Sequence, residues 1–270
     1  MQRVLIWATA VAISWSLATN WAVIRLFIGS FARASQGLWN EYRIMNKLQE
    51  AHNVICRVAE KQSSCIVMCS LGKDSLVTLD LVYPRFERVV CVFMYFVKDL
   101  DHINGWIRWV KKKYPKVEFM QVPHWNLTYI LRGGLYCVPN PKVKLLKLAD
   151  VIKAVRMKTG AYYTFLGMKK ADGMNRNLML KGYEDNGYEN NGLAYPLASW
   201  TQKDVKAYMR MKRLPQPVLY GNKASNGIGF NIDCFTWLQE HYPQDLEKIY
   251  KVFPMSERIL FEQNYKQDNK

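Results

Sequence analysis

Short, continuous apolar runs alternate with amphipathic segments along most of this chain. Residues 65–69 and 89–95 contain no charged side chain, which is typical of strands buried on both faces of a sheet. Further strands are predicted at 117–122 and 162–166, and helical patterns separate the four. Because strands that alternate with helices pair in parallel, this order predicts an α/β fold: a three-layer, doubly wound parallel sheet.

Apolar residues at helical spacing predict the helices that flank this sheet. Such segments cover residues 45–61, 76–83, 103–114, 145–158, 201–211 and 242–265, with an interruption at Pro254. We therefore expect one domain over residues 45–225, followed by a helical C-terminal extension over residues 226–270.

The first 44 residues differ from the rest. Residues 4–28 carry a single charge, on Arg25. This apolar segment could be a signal anchor or transmembrane helix, since about 20 apolar residues span a bilayer. It could also be a cleaved signal peptide, or a non-native extension before a domain that starts at Met45. We favour the last interpretation and expect a cytoplasmic protein, which contacts a membrane only if residues 1–44 are native.

The overall composition is that of a folded, strongly basic protein. Half of the residues are hydrophobic and 22% are charged, which excludes a disordered tail, a collagen-like repeat and a coiled-coil rod. The net charge of +16 suits anionic partners, and it equally suits a solvated basic surface. The six cysteines form no CxxC pair and have no zinc-finger spacing, which excludes a zinc finger.

The first predicted strand-to-helix turn carries the string SLGKDS at residues 70–75. Ligands of an open parallel sheet bind outside the carboxyl ends of its strands. A helix that starts there offers free N–H groups and a positive dipole end to an anion. Gly72 lets the backbone approach a phosphate closely, and Lys73 adds a point charge. The string is not a Walker A loop, so it predicts a different kind of phosphate-binding turn.

This turn resembles the PP-loop (SxGKDS) of the N-type ATP pyrophosphatases, and within them most resembles the phosphoadenosine phosphosulfate reductase family. Residues 163–176 (YTFLGMKKADGMNR) are similar to the family's strand followed by GxRRxxxxxR. Residues 195–205 (YPLASWTQKDV) are similar to its PLxxWTxxDV. Residues 214–215 (LP) and 219–221 (LYG) resemble the LPxxxLY that follows. The strings occur in family order over about residues 63–221.

The resemblance implies an adenine nucleotide alpha-hydrolase-like fold that binds ATP or phosphoadenosine phosphosulfate together with Mg²⁺. It implies that the nucleotide is held by Ser70, Leu71, Gly72, Lys73, Asp74, Ser75, Gly167 and Arg176. It also implies three catalytic cations, namely Lys73, Lys169 and Lys170. Trp200 is expected to pack, and Thr201 and Asp204 to form a capping box at a helix start.

The implied activity is cleavage of ATP to AMP and pyrophosphate, which adenylylates a substrate in sulfur metabolism or nucleic-acid modification. The partners would be an adenine nucleotide and, given the basic charge, tRNA or DNA. One alternative is a phosphoadenosine phosphosulfate reductase, although no cysteine follows Cys234 where reductases carry their catalytic Glu-Cys-Gly-Leu-His. A second alternative is a non-catalytic, nucleotide-binding regulatory protein.

A cluster of ionisable residues follows the second predicted strand. Asp99, Asp101 and His102 lie at the ligand-binding edge of the sheet and could hold Mg²⁺ or supply a base. Asp74 and Asp99 are the candidate metal ligands. The alternative, which we favour for residues 99–102, is an ordinary helix start with an acidic first turn.

Overall fold

The computed structural model describes residues 43–183, 187–217 and 228–262. Contacts between residues divide the chain into two units, Met1–Leu48 and Gln49–Lys270. Helix α1 covers residues 43–59. The predicted apolar segment 4–28 and the LYG string at 219–221 lie outside the described residues. Of the helices in the described ranges, none combines the length and apolar character needed to cross a bilayer.

Six strands form one sheet in the described part of the chain. They are β1 Ser64–Met68, β2 Arg88–Tyr95, β3 Val117–Pro123, β4 Thr164–Phe165, β5 Glu189–Asn190 and β6 Leu193–Ala194. The sheet order is β3-β2-β1-β4-β6-β5, and every pair is parallel except β5 with β6. The predicted doubly wound α/β fold is confirmed, with one short antiparallel edge that the apolar pattern did not predict.

Helices follow most of these strands, as predicted. They are α2 Lys73–Val82, α3 Asp101–Lys113, α4 Trp125–Gly133, α5 Leu148–Thr159, α6 Met174–Lys181, α7 Gln202–Met211, α8 Ile232–His241 and α9 Pro243–Val252. Helices α4 and α6 were not predicted. The expected break at Pro254 occurs, since a 3₁₀ turn covers Pro254–Glu257. The predicted helical C-terminal extension is confirmed by α8 and α9.

The core lies around the two central strands and the helices packed on them. Four of the five residues of β1 and five of the eight residues of β2 are buried. Trp200 is fully buried and packs edge-on against Tyr208, with ring centroids 5.8 Å apart, as predicted. Asp204 Oδ2 accepts a 2.8 Å hydrogen bond from the Thr201 N–H, and the Thr201 hydroxyl accepts one from the Asp204 N–H at 3.3 Å. The predicted capping box at the start of α7 is therefore confirmed.

The predicted helix start at residues 99–102 is confirmed, but its cap comes from a distant residue. Asp245, on α9, accepts hydrogen bonds from the N–H groups of Asp101 and His102 at 2.7 and 3.1 Å. Its Oδ2 also lies 2.7 Å from His102 Nδ1. Burial acts to raise the pKa of Asp245, but the hydrogen bonds from these groups hold it at about 2. This carboxylate ties the C-terminal helices to the first turn of α3.

The sheet order creates a switch point beside β1. The chain passes from β1 to β2 and β3 on one side, and then returns to place β4 on the other side of β1. The loops that follow β1 and β4 therefore leave the sheet in different directions. In open α/β sheets, this crevice at the carboxyl ends of the strands is where ligands bind.

Candidate functional site

The loop from β1 to α2 is built as an open helix start. Leu71 adopts a left-handed conformation, with φ of 60°, and its side chain is buried. Gly72 is the N-cap residue in an extended conformation, and within the described chain no side chain caps α2. The N–H groups of the first turn of α2 thus remain available to an external acceptor such as a phosphate oxygen.

The two serine hydroxyls brace this turn. Ser75 is buried and donates a 2.9 Å hydrogen bond to the carbonyl oxygen of Gly72. The Ser70 hydroxyl lies 3.4 Å from that of Ser75. The predicted contribution of both hydroxyls to phosphate binding stays a prediction, because the geometry of the Ser75 hydroxyl already serves the loop itself.

Two lysines from distant parts of the chain meet at one carboxylate oxygen. Lys73 Nζ and Lys169 Nζ lie 2.9 and 2.8 Å from Asp74 Oδ2. Lys169 is almost completely buried, and its Nζ also lies 2.9 Å from Asp172 Oδ1. By distance these Lys169 contacts are ion pairs, without the directionality of hydrogen bonds. The loops after β1 and β4 are therefore joined electrostatically at the switch point.

Asp172 extends this cluster to the third predicted cation. Its Oδ2 accepts hydrogen bonds from Arg176 Nη1 at 2.9 Å and from the Lys169 N–H at 3.0 Å. Burial acts to raise the pKa of Asp172, but the neighbouring Lys169 and Arg176 hold it below its usual value. Arg176 thus reaches the cluster through Asp172 and, with half of its side chain exposed, borders solvent.

Lys170 is directed elsewhere. Its ammonium donates a 3.0 Å hydrogen bond to the Tyr188 hydroxyl and lies 4.9 Å from the centroid of that ring. Its backbone N–H donates to the carbonyl oxygen of Ala198. Of the three predicted catalytic cations, the structure brings Lys73 and Lys169 together and holds Lys170 on Tyr188. A catalytic role for each of the three stays a prediction.

Gly167 packs the loop after β4 tightly against α2. A Cβ at this position would lie 3.0 Å from the carbonyl carbon and oxygen of Asp74 and 3.0 Å from Thr78 Oγ1. Real Cβ atoms rarely approach backbone this closely, so only glycine fits without a shift. The predicted nucleotide contact of Gly167 is not tested, whereas its packing role is evident.

One buried oxygen in the site is left for a ligand. Asp74 Oδ1 is buried and has no hydrogen-bond partner among the described residues, although Asp74 Oδ2 has two ammonium neighbours. The other candidate metal ligand, Asp99, has an exposed carboxylate 3.9 Å from Lys98 Nζ. In the described ranges no three His, Cys, Asp or Glu side chains cluster as metal ligands. The two metal assignments remain predictions, and Asp74 has the better-suited oxygen.

Asp172 and Tyr188 are site residues that the sequence reasoning missed. Asp172 stands three residues after Lys169 and four before Arg176, which is a spacing that allows ion pairs within a turn or helix. That signal was present in the string. Tyr188 comes from the loop before β5 and could not be assigned to Lys170 without the sheet order.

His124 follows β3 at the same edge of the sheet. It is the N-cap residue of α4, where its Nδ1 accepts a 3.0 Å hydrogen bond from the Asn126 N–H. The ring stacks on Phe96 with centroids 4.7 Å apart. Burial lowers the pKa of His124 to about 4, so the imidazole is neutral near pH 7.

The sequence pattern of the phosphoadenosine phosphosulfate reductase domain matches residues 64–230, more than half of the chain. The chain belongs to the phosphoadenosine phosphosulfate reductase family. This confirms the family that the PP-loop and the later strings predicted. The matched residues include the whole charged cluster at the switch point, from Lys73 to Arg176.

Solved structures with similar backbones were also found. The U34-tRNA thiolase NcsA from Methanococcus maripaludis is 14% identical, with 82% of this chain and 80% of that chain covered and a TM-score of 0.42. For the phosphoadenylyl-sulfate reductase from Candida auris these values are 15%, 61%, 81% and 0.41. For the NH₃-dependent NAD synthetase from Campylobacter jejuni they are 12%, 83%, 96% and 0.42. A comparison with curated protein sequences gave no match.

Proposed function

We propose that this protein binds ATP at the PP-loop, cleaves it between the α and β phosphates, and adenylylates an acceptor in sulfur metabolism or nucleic-acid modification. One observation carries the proposal: Lys73 and the buried Lys169 converge on Asp74 beside the uncapped start of α2. This arrangement surrounds one small volume with N–H donors and fixed positive charge. Such preorganised donors stabilise negative charge that moves during phosphoryl chemistry.

The charge of the cluster suits a polyphosphate. Four cations and two carboxylates give the site a net charge of +2, the cations being Lys73, Lys169, Lys170 and Arg176. The burial of Lys169 holds its ammonium in place before any ligand binds. Lys73 is more exposed and is free to leave Asp74 for a phosphate oxygen. We therefore assign Lys169 to the framework of the site and Lys73 to the ligand.

The chemical step requires positioning rather than a covalent enzyme intermediate. An acceptor oxygen attacks the α-phosphorus, the bond from that phosphorus to the α–β bridging oxygen breaks, and pyrophosphate leaves with the bonding electrons. An acceptor that is already anionic needs no base. The N–H groups at the start of α2 and the Lys73 ammonium would stabilise the charge that accumulates on the departing phosphates.

The residues present fit a Mg²⁺ ion at Asp74. Mg²⁺ is commonly bound by one or two carboxylates together with substrate phosphates, rather than by an all-protein cage. Asp74 Oδ1, buried and without a partner among the described residues, would be the protein's ligand. When bound, the ion would neutralise phosphate charge.

A thiol-dependent reductase is the less favoured activity. Cys234, on α8, is fully buried, and its sulfur accepts a 3.3 Å hydrogen bond from the N–H of Gly229. Burial raises the pKa of Cys234 to about 11. A thiol that is neutral and shielded at pH 7 is a poor nucleophile, so this residue supports structure rather than redox chemistry.

Pyrophosphate release from ATP and Mg²⁺ by the full chain tests the proposal. Sulfate, tRNA and DNA are added in turn as acceptors, and release is compared with that of Lys73→Ala and of a control, Lys153→Ala. Lys153 is exposed on α5, away from the PP-loop string. We expect acceptor-dependent release that falls about 100-fold or more in Lys73→Ala and is unchanged in Lys153→Ala.

The pattern of results separates the alternatives. ATP binding without release under any acceptor would contradict the enzymatic proposal and indicate a regulatory nucleotide-binding protein. Reduction of phosphoadenosine phosphosulfate that is abolished by Cys234→Ser would indicate the reductase instead. Circular dichroism of each variant shows that a loss of activity is not a loss of fold.

A further inference from the structure

A second cleft lies at the opposite edge of the sheet from the PP-loop. Its volume is about 530 Å³, and it is lined by side chains that include His52, Asp80, Arg85, Lys113 and Lys212. Helix α2 connects the two places, because it starts at Lys73 and ends just before the 3₁₀ turn Tyr83–Arg85. Ten helical residues rise about 15 Å, so the cleft is remote from the PP-loop and shares none of its residues.

The cleft has an excess of positive charge. Asp80 is the only carboxylate that lines it, and its two oxygens accept hydrogen bonds from the hydroxyls of Tyr114 and Tyr208 at 2.8 and 2.7 Å. Arg85, Lys113 and Lys212 also line the cleft, and within the described chain none of the three forms an ion pair. These groups therefore leave the cleft cationic.

His52 reports the same field. Its side chain is half-buried in the cleft, and burial together with the charges of Arg85 and Lys212 lowers its pKa. A neutral imidazole beside two cations is the expected response to uncompensated positive charge. An anion in the cleft would relieve this repulsion and raise the pKa of His52.

The positive charge continues beyond the cleft along the surface. The cationic band consists of eight exposed side chains at the ends of α3 and α7 and in the adjoining turns: Arg85, Lys111, Lys112, Lys113, Lys116, Arg210, Lys212 and Arg213. Among the residues that the structure describes, none of these eight is paired with a carboxylate. The band is also held in place locally, since Lys116 Nζ donates to the carbonyl oxygens of Tyr83 and Phe86.

Complementing helix dipoles accounts for part of the band only. Lysines in the last turn of α3 interact favourably with the negative end of that helix. Arg85 and Lys116 lie outside the α-helices, yet they stand beside the cleft and the Tyr83 ring, respectively. A single small anion would engage the three cleft cations and leave the others unused. An extended polyanion would engage the whole band.

We propose that the cleft and the cationic band bind the sugar–phosphate backbone of a nucleic acid. Arg85, Lys113 and Lys212 would hold one phosphate group in the cleft, and the outer lysines and arginines would hold its neighbours along the strand. The proposal does not rest on the PP-loop activity, because no residue belongs to both sites. It names a surface by which the protein would engage RNA or DNA.

Binding of a fluorescein-labelled RNA hairpin and the matching DNA hairpin to the full chain tests this assignment by fluorescence anisotropy at several salt concentrations. The test variant is Arg85→Gln/Lys113→Gln/Lys212→Gln. A charge-matched control, Lys144→Gln/Lys153→Gln/Lys158→Gln, removes three exposed lysines on or next to α5. All six residues are exposed, so both variants should fold, which circular dichroism checks.

We expect the test variant to bind at least about tenfold more weakly, and the slope of log K against log salt to fall by roughly 2.7 for three lost phosphate contacts. The control should bind as the wild type does. Added hairpin should also shift the NMR signals of His52 in the wild type. Equal losses in both triple variants, or wild-type binding by the test variant, would overturn the proposal. So would a cleft that binds inorganic pyrophosphate, detected through His52, in a protein that binds neither hairpin.

Discussion

Replacing Lys169 with methionine would remove the charge that joins the two halves of the PP-loop site. The substitution Lys169→Met keeps an unbranched side chain of similar length in a buried position. It removes an ammonium that lies 2.8 Å from Asp74 Oδ2 and 2.9 Å from Asp172 Oδ1. The two carboxylates would then repel each other across the contact between the loops that follow β1 and β4.

The size of the effect follows from how much of the network remains. Removing one partner of a buried ion pair costs about 3–5 kcal/mol. Here Asp74 keeps Lys73 at 2.9 Å, Asp172 keeps Arg176 at 2.9 Å, and the carboxylates are 24% and 20% exposed. Partial screening and these remaining partners favour the lower end, about 3 kcal/mol. For a domain of this size the melting temperature should fall by about 6–12 °C.

Urea and thermal unfolding of the full chain measure this loss, and Lys170→Met is the matched control. Lys170 is the neighbouring residue, but its ammonium contacts the hydroxyl and ring of Tyr188 instead of a carboxylate. Losing these contacts should cost only about 1 kcal/mol. In a double-mutant cycle, adding Asp172→Asn to Lys169→Met should restore part of the loss, because it removes one of the two facing charges.

The reasoning would be refuted by equal, small losses of stability in Lys169→Met and Lys170→Met. It would also be refuted if Asp172→Asn further destabilised Lys169→Met by its full single-mutant cost. Either result would mean that Lys169 does not compensate the two carboxylates in the folded protein.

Three further predictions concern other parts of the structure. Gly167→Ala should destabilise the protein by about 1–3 kcal/mol, because its Cβ would press on the Asp74 backbone; Gly133→Ala, where nothing lies within 4 Å, should cost far less in the same urea titration. His124 has a pKa of about 4 in the folded protein against about 6.5 unfolded, so its neutral form favours folding above pH 6.5 and this stability is lost as the pH falls towards 4. Unfolding between pH 7 and 4 should therefore show a smaller pH dependence in His124→Asn than in the wild type; identical curves would contradict the assignment. Cys234 should react with iodoacetamide in native protein far more slowly than in urea, and Cys234→Ser should keep pyrophosphate release, since the buried thiol has a pKa of about 11; rapid native labelling would show that it is accessible.

Much of the fold and the PP-loop could be predicted because their signals are local. The string at residues 70–75 lies between a buried apolar run and a helical pattern, so chain connectivity alone places it at the carboxyl end of a strand. The capping box of Thr201 and Asp204 is also local, since both partners lie within one helical turn. Short elements were missed for the same reason. Strands β4, β5 and β6 have two residues each, too few to show a period.

Other features exist only because distant segments meet. Lys169 lies 95 positions after Asp74, and Asp245 caps a helix that begins 144 positions earlier. Neither pairing leaves a trace in the local sequence, because each partner by itself resembles an ordinary surface charge. The cationic band is likewise assembled from the ends of α3 and α7 and the turn after α2.

The sequence by itself determined the alternation of strands and helices, the family and the position of the phosphate-binding turn, since these depend on apolar periodicity and on adjacent residues. The tertiary structure alone decided which charges are paired. It buried Lys169 between two carboxylates, directed Lys170 to Tyr188, and left the cationic band without carboxylate partners in the described chain. The physical reason is that ion pairing depends on distances of a few ångströms, and only the order of the strands in the sheet sets those distances for residues far apart in the chain.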